Sequence, residues 1–130
     1  MNYLETLKEA KEKGMKALKT CKPTPVTFVQ ADLSDNPIGE PEECEEGDCG
    51  GAYVTGLNGK SEFVGWCKKN PSLLEGLVTL SKGVYKGYDL YLDHGDYRGQ
   101  SAERYTAFAD AFCEVLKREG IKCGVRSYLS

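Results

Sequence analysis

The sequence predicts an α+β fold in a single domain, with about four mainly antiparallel strands and helices packed on one face of the sheet. A length of 130 residues suits one domain with a buried core. Long segments of helical periodicity near both ends are separated by short segments that alternate with a period of two. The predicted order of elements is α-β-β-α-(α)-β-α-β, and it ends in a strand–helix–strand unit over residues 86–130.

The first helix is predicted over residues 3–20. Asn2 and Glu5 form a capping-box-like start, because each side chain can bond to a free backbone N–H of the first turn. Pro23 and Pro25 end the helix. Its weak apolar stripe consists of Leu4, Leu7, Ala10, Gly14, Ala17 and Leu18.

A short strand is predicted over 26–29, and a long acidic loop over 31–48. Between residues 40 and 48 the chain has six acidic residues and no basic one, so this segment carries −6 while the whole chain carries −3. A hydrated loop is the ordinary interpretation of such a run. It lacks the spacing of an EF-hand calcium loop. The functional alternatives are a calcium site, a nucleic-acid-mimicking surface, or a partner-binding surface of Glu42, Glu43, Glu45, Glu46 and Asp48.

Residues 51–57 are predicted to form a strand that ends at an Asn58-Gly59 turn. The next segment, 61–69, fits either a short helix or the return strand of a hairpin. The helix is preferred because Ser61 can cap it and the apolar residues recur at helical spacing. Ser72, three residues before Glu75, offers a further helix start.

The strand–helix–strand unit at 86–130 has the strongest local signals. Its first strand alternates apolar and polar residues over 88–93. Ser101 is a natural N-cap of the long helix, and Gly120 can take the left-handed conformation that ends it. The apolar stripe of the helix consists of Tyr105, Phe108, Ala109, Phe112, Val115 and Leu116. The sequence leaves open whether the two strands are direct neighbours.

The loop 93–104 enters the N-terminus of the long helix, where free backbone N–H groups and the helix dipole can hold an anion. The candidate ligands are phosphate, a nucleotide or a partner's carboxylate. Asp93 and Asp96 weaken this interpretation because they would repel an anion. A structural turn is the alternative. The candidate ligand-binding residues are His94, Asp96, Arg98, Gln100, Ser101 and Arg104.

Three cysteines, Cys44, Cys49 and Cys67, are weak candidates for a zinc site, with Cys21 or His94 as a fourth ligand. The chain has no CxxC pair, which structural zinc sites usually present. A Cys44–Cys49 disulfide would require an oxidising setting.

The order of Cys49 before His94 is that of cysteine hydrolases, but Cys49 precedes a predicted strand rather than an activating helix N-terminus. Cys113 and Cys123 lie on apolar faces and are interpreted as core residues. No catalytic residue is assigned, and no cofactor is expected.

The composition disfavours several classes of partner. A net charge of −3 argues against nucleic-acid binding, and Tyr91 is the one candidate for base stacking. No apolar run is long enough to span a membrane. The start of the chain has no apolar segment typical of a secretory signal. We therefore expect a cytoplasmic protein with reduced cysteines.

Two stretches resemble a segment of small uncharacterised proteins of bacteriophages and mobile elements. They read CGGAYV at 49–54 followed by SEFVGWCKK at 61–69, and QSAERYTAF at 100–108. The resemblance spans roughly residues 49–130, while the acidic segment and four of the cysteines depart from it. It implies a small accessory protein and carries no known activity.

We expect a non-enzymatic protein that binds a partner protein, for example by inhibiting a host defence factor. Binding or turnover of a small phosphate-containing ligand at 93–104 and a zinc-stabilised module are the alternatives. Exposed strand edges could also pair two copies in a homodimer.

Overall fold

A computed structural model describes residues 2–23, 26–31, 37–44, 49–83, 87–95, 97, 99 and 101–129, with only the backbone described at 26–31 and 37–44. A single 3-10 turn, Pro71–Leu74, follows the second helix. The other elements are α1 (Tyr3–Thr20), β1 (Val26–Ala31), β2 (Pro37–Cys44), β3 (Gly50–Leu57), α2 (Glu62–Lys69), β4 (Val78–Lys82), β5 (Tyr88–Leu92), α3 (Ala102–Arg118) and β6 (Gly124–Leu129).

The main sheet has four antiparallel strands in the order β4-β5-β3-β6. This confirms the predicted α+β class, the single domain and the strand count of the sheet. β3 lies between β5 and β6, so the two strands of the C-terminal unit are not neighbours. Strands β1 and β2 form a separate two-stranded antiparallel ribbon.

The helices α1, α2 and α3 begin at the residues that the sequence predicts to cap them. Asn2, Ser61 and Ser101 each accept a hydrogen bond from the backbone N–H three residues further on, at 3.2, 3.3 and 3.3 Å. Each bond satisfies an N–H that the helix cannot pair itself. The segment 61–69 is therefore a helix, as preferred. Gly120, at φ +83°, ends α3 as predicted.

The core lies between α3 and the sheet, with α1 packed along α3. Gly14 of α1 faces the ring of Phe108, which allows the two helices to approach closely. Phe108 and Phe112 are fully buried, and their rings are stacked with centroids 6.2 Å apart. Among the described residues, no helix combines the length and the apolar character needed to cross a lipid bilayer.

The predicted acidic loop 31–48 is wrong over part of its length, because Pro37–Cys44 is strand β2. It pairs antiparallel with β1, with Val26 opposite Cys44 and Ala31 opposite Pro37. Charge patterning indicates hydration of side chains, whereas a strand is held by backbone hydrogen bonds that charged residues also make. A hydrated charge run is therefore compatible with a strand.

The second helix start at Ser72 is also corrected. Helical structure there is limited to Pro71–Leu74, and Val78 begins strand β4. Gly76, at φ +74°, turns the chain out of the helical region before the strand. Val78, at helical spacing from Leu74, is instead the first residue of β4, whose pairing with β5 depends on distant residues.

Candidate functional site

The described part of the predicted ligand loop is held by contacts within the protein. The Asp93 carboxylate accepts hydrogen bonds from the Gly95 backbone N–H at 2.8 Å and from Lys11 Nζ at 3.1 Å. These contacts, led by the backbone N–H, hold the pKa of Asp93 below its ordinary value of 3.8. Asp93 is therefore ionised at neutral pH and joins this loop to α1.

His94 lies against aromatic rings, with its ring centroid 4.2 Å from that of Tyr105 and 4.8 Å from that of Phe108. Its Nε2 atom is buried and has no hydrogen-bond partner. Burial lowers the pKa of His94 from 6.5, because the apolar surroundings disfavour the imidazolium ion. The neutral ring is a packing group here rather than a cation aimed at a ligand.

Two more of the predicted ligand residues have structural contacts. Ser101 is 1% exposed and caps α3. The Arg104 guanidinium donates to the Leu18 carbonyl oxygen at 2.7 Å, near the C-terminus of α1. That bond satisfies a carbonyl at the negative end of α1. Asp96, Arg98 and Gln100 lie outside the described residues, so that part of the prediction stays a prediction.

The described cysteines do not form the predicted zinc site. Cys49 is exposed at the start of β3, whereas Cys67 is 1% exposed and belongs to the core. Burial raises the pKa of Cys67 to about 12, which disfavours the thiolate that zinc requires. Within the described ranges no group of three or more Cys, His, Asp or Glu residues could hold a metal. The side chain of Cys44 lies outside those ranges.

Cys49 and His94, which follow the chain order of cysteine hydrolases, do not form a hydrogen-bonded nucleophile–base pair. The backbone of Cys49 forms an isolated antiparallel bridge with that of Ser101. A nucleophilic thiol needs its base within hydrogen-bond reach. Since His94 Nε2 has no hydrogen-bond partner, Cys49 does not use that atom as its base.

The structure reveals a candidate surface that the sequence interpretation missed, on the side of the sheet away from α3. Val54 of β3 pairs with Leu90 of β5, and both are fully buried on the helix side. Side chains alternate along strands, so Tyr53 and Tyr91 lie opposite each other on the other side. Tyr128 of β6 lies on that side as well, because it pairs with Gly51. We call this surface, which carries Tyr53, Tyr91 and Tyr128, the open face.

The three tyrosines form a row across three strands. The ring centroids of Tyr53 and Tyr91 are 5.2 Å apart, and those of Tyr53 and Tyr128 are 6.4 Å apart. Tyr91 is 47% exposed and Tyr128 is 54% exposed. Gly51 makes this possible, because a Cβ at that position would meet the Tyr128 ring and hydroxyl. The row is thus an aromatic strip across three strands, exposed at Tyr91 and Tyr128.

A polar contact lies next to the row. Asp89 is 5% exposed and accepts a hydrogen bond from the Thr55 hydroxyl at 2.6 Å. The bond links β5 to β3 beside Tyr53 and Tyr91. A buried carboxylate that lacks a hydrogen-bond donor is costly, so this contact stabilises the strands that carry the tyrosines.

A groove of about 650 Å³ lies at the β4 side of the molecule. Its wall is mostly apolar and includes Leu74, Leu77, Leu80 and Tyr88, and Asp93 also lines it. Lys68 Nζ lies 4.4 Å from the centroid of the Tyr88 ring, a cation–π contact at the same groove. The volume falls in the range of small-molecule sites.

The acidic candidates for partner binding are only partly described. The backbones of Glu42 and Glu43 lie in β2, opposite Phe28 and Thr27 of β1. Glu45, Glu46 and Asp48 lie outside the described residues. The acidic surface therefore stays a prediction.

One signal in the sequence pointed toward the open face. The alternation of β5 places Tyr91 on the polar side of that strand. What brings the three tyrosines together is the pairing of β3 with β5 and β6, which unites positions far apart in the chain. That pairing could not be read from local periodicity.

Comparisons with protein-family models, with curated proteins and with solved structures give no match. The resemblance to bacteriophage and mobile-element proteins therefore stays an expectation. The functional interpretation depends on the geometry of this chain.

Proposed function

We propose that the protein acts by binding another protein through the open face. The observation that carries the proposal is the exposed row of Tyr53, Tyr91 and Tyr128 on a sheet whose other side is covered by helices. Tyrosine is enriched at protein interfaces because it combines a large apolar ring with a hydrogen-bonding hydroxyl. Because tyrosine has only two side-chain torsions, its immobilisation at an interface loses little conformational entropy.

The charge of the open face favours a protein partner over a nucleic acid. Among the described strand residues that the register places on this face, Arg126 is the one basic residue, and Asp89 is acidic. Nucleic-acid affinity depends on several phosphate contacts from Lys or Arg. The net charge of −3 opposes such contacts further. A partner with an apolar patch and hydrogen-bond acceptors for the tyrosine hydroxyls fits better.

The test is an affinity capture from a host lysate with matched variants. The double variant Tyr91→Ser, Tyr128→Ser removes the two most exposed rings of the row. The control Leu73→Ser removes a 44% exposed apolar side chain on the 3-10 turn that is not part of the tyrosine row. Circular dichroism and thermal melting establish that each variant is folded before capture.

We expect wild type and Leu73→Ser to retain the same protein and the double variant to lose it. If one tyrosine is a hot spot, its truncation weakens the isolated complex by roughly 30-fold or more. Equal capture by all three proteins contradicts the proposal. Binding of a single-stranded oligonucleotide that the double variant loses would replace it with a stacking role.

Inhibition of a host defence factor would be a specific case of such binding. The acidic segment offers a separable contribution. Charge reversal at Glu42 and Glu43 should weaken binding in a salt-dependent way if this segment contacts a basic partner. Unchanged affinity at low salt would limit the interface to the open face.

A second candidate function, small-ligand binding, is favoured by the groove of about 650 Å³, whose mostly apolar lining includes Lys68. Inorganic phosphate and a panel of nucleotides should then raise the melting temperature of the wild type. No shift with any of them would remove this candidate.

A further inference from the structure

Two cysteines meet at the corner between α3 and β6. Cys113 lies on α3 and is 3% exposed, and Cys123 lies in the segment that joins α3 to β6. Their Sγ atoms are 2.9 Å apart, although both residues are free thiols. Ten positions separate them along the chain, and Gly120 turns the backbone between them.

The separation of the two sulfur atoms decides what the pair can do. A disulfide bond is about 2.05 Å long, so the Sγ atoms need to approach by roughly 0.9 Å. Most cysteine pairs fail because their side chains point apart or their backbones are too distant. Here the Cys113 side chain, on α3, and the Cys123 side chain, one residue before β6, already meet. We propose that Cys113 and Cys123 form a disulfide bond when the protein meets a disulfide oxidant.

The reaction is a thiol–disulfide exchange with a small-molecule disulfide such as oxidised glutathione. The thiolate of one cysteine attacks the oxidant, forms a mixed disulfide and releases one glutathione thiolate. The second cysteine loses its proton to solvent and attacks the cysteine sulfur of the mixed disulfide, which releases the second glutathione thiolate. The two protein thiols are oxidised to one disulfide, and the oxidant is reduced to two thiols.

Burial of the two thiols makes the exchange slow, whereas the disulfide that it forms stabilises the fold. Burial raises the pKa of Cys123 to about 12, so little thiolate is present at neutral pH. The bond would close a short ring that restricts the unfolded chain. It would also tie β6, the edge strand that carries Tyr128, to the long helix. The inference does not depend on what the open face binds.

The test oxidises the purified full-length chain with excess glutathione disulfide, alkylates the remaining thiols and digests with trypsin. Cleavage after Lys and Arg separates the peptides 105–117 and 123–126, which contain one cysteine of the pair each. We expect these two peptides to be linked in oxidised wild type. The intact chain should lose the mass of two hydrogen atoms apart from any glutathione added at exposed Cys49.

Stability provides the second readout. Oxidation should raise the melting temperature of the wild type by roughly 10 °C, for a ring of this size in a chain of this length. The variant Cys123→Ala should lose this shift, whereas Cys49→Ala should keep it. Cys113→Ala serves in the same way if Cys123→Ala does not fold.

Two outcomes would overturn the inference. One is recovery of both peptides alkylated from a sample in which Cys49 carries glutathione, because the oxidant was then active and the pair did not react. The other is a linkage of either cysteine to Cys21 or Cys67, which would show that the observed pairing is not the one that oxidation captures.

Discussion

Replacement of Gly14 by alanine tests the packing of α1 against α3. A Cβ added at Gly14 would lie 3.0 Å from three carbon atoms of the Phe108 ring. The ring cannot easily move, because it is fully buried and also contacts Phe112 and His94. Gly65 in α2 is the matched control, since a Cβ there meets nothing within 4 Å.

The magnitude follows from two opposing terms. Alanine in a helix interior is more favourable than glycine by about 1 kcal/mol. Carbon atoms pack best at roughly 3.5–4.0 Å, so α1 must shift by about 0.5–1 Å to accept the new methyl group. Overpacking of this kind costs about 1–3 kcal/mol. We therefore expect Gly14→Ala to lower the free energy of unfolding by about 0–2 kcal/mol, while Gly65→Ala raises it by about 0.5–1 kcal/mol.

Urea denaturation followed by circular dichroism measures both free energies of unfolding, with the slopes compared to verify that the same surface is exposed. The double variant Gly14→Ala, Phe108→Leu should show a favourable coupling, because the smaller side chain leaves room for the methyl group. Equal stabilisation by Gly14→Ala and Gly65→Ala would refute the close approach of the two helices.

Three further outcomes are expected. The folded-state pKa of His94 is lowered below 6.5, so the unfolded chain binds more protons below that pH and the free energy of unfolding should fall between pH 7 and pH 5. The slope should stay well under the single-proton limit of about 1.4 kcal/mol per pH unit, because part of the ring remains in water. His94→Phe should remove this dependence, and an unchanged slope in that variant would assign it to another group. Ser101→Ala should destabilise the chain by about 1 kcal/mol through loss of the α3 cap, and a melting temperature equal to that of the wild type would contradict this role. The folded-state pKa of Asp93 is lowered below 3.8, so its contribution is present above that pH and lost as the pH falls below it. Asp93→Asn should therefore lower stability at pH 7 and have little effect at pH 2, and an equal loss at both pH values would rule out the charge as the cause.

The elements that the sequence predicted correctly are those with signals inside the element. A capping side chain, apolar residues at helical spacing and a terminating glycine or proline define α1, α2 and α3 without reference to the rest of the chain. The same is true of β5, whose alternation over five residues distinguishes a buried side from a polar one. The fold class follows from these elements, because each amphipathic helix must cover a sheet or another helix.

The elements and sites that were missed depend on pairs of distant residues. The sequence does not predict β4, because its first residue, Val78, also lies at helical spacing from Leu74, and only the ladder with β5 identifies the strand. Arg104 looked like a ligand donor, but the neighbouring α1 supplies the Leu18 carbonyl that it binds.

The local sequence therefore determined the three α-helices, the strands β1, β3 and β5 and the fold class, because capping and periodicity act over a few residues. Only the tertiary structure determined the strand order β4-β5-β3-β6, which brings Tyr53, Tyr91 and Tyr128 into one row. It also brought the sulfur atoms of Cys113 and Cys123 together across a turn. Strand register and helix packing minimise the energy of contacts between segments far apart in the chain, and no short stretch of residues contains that information.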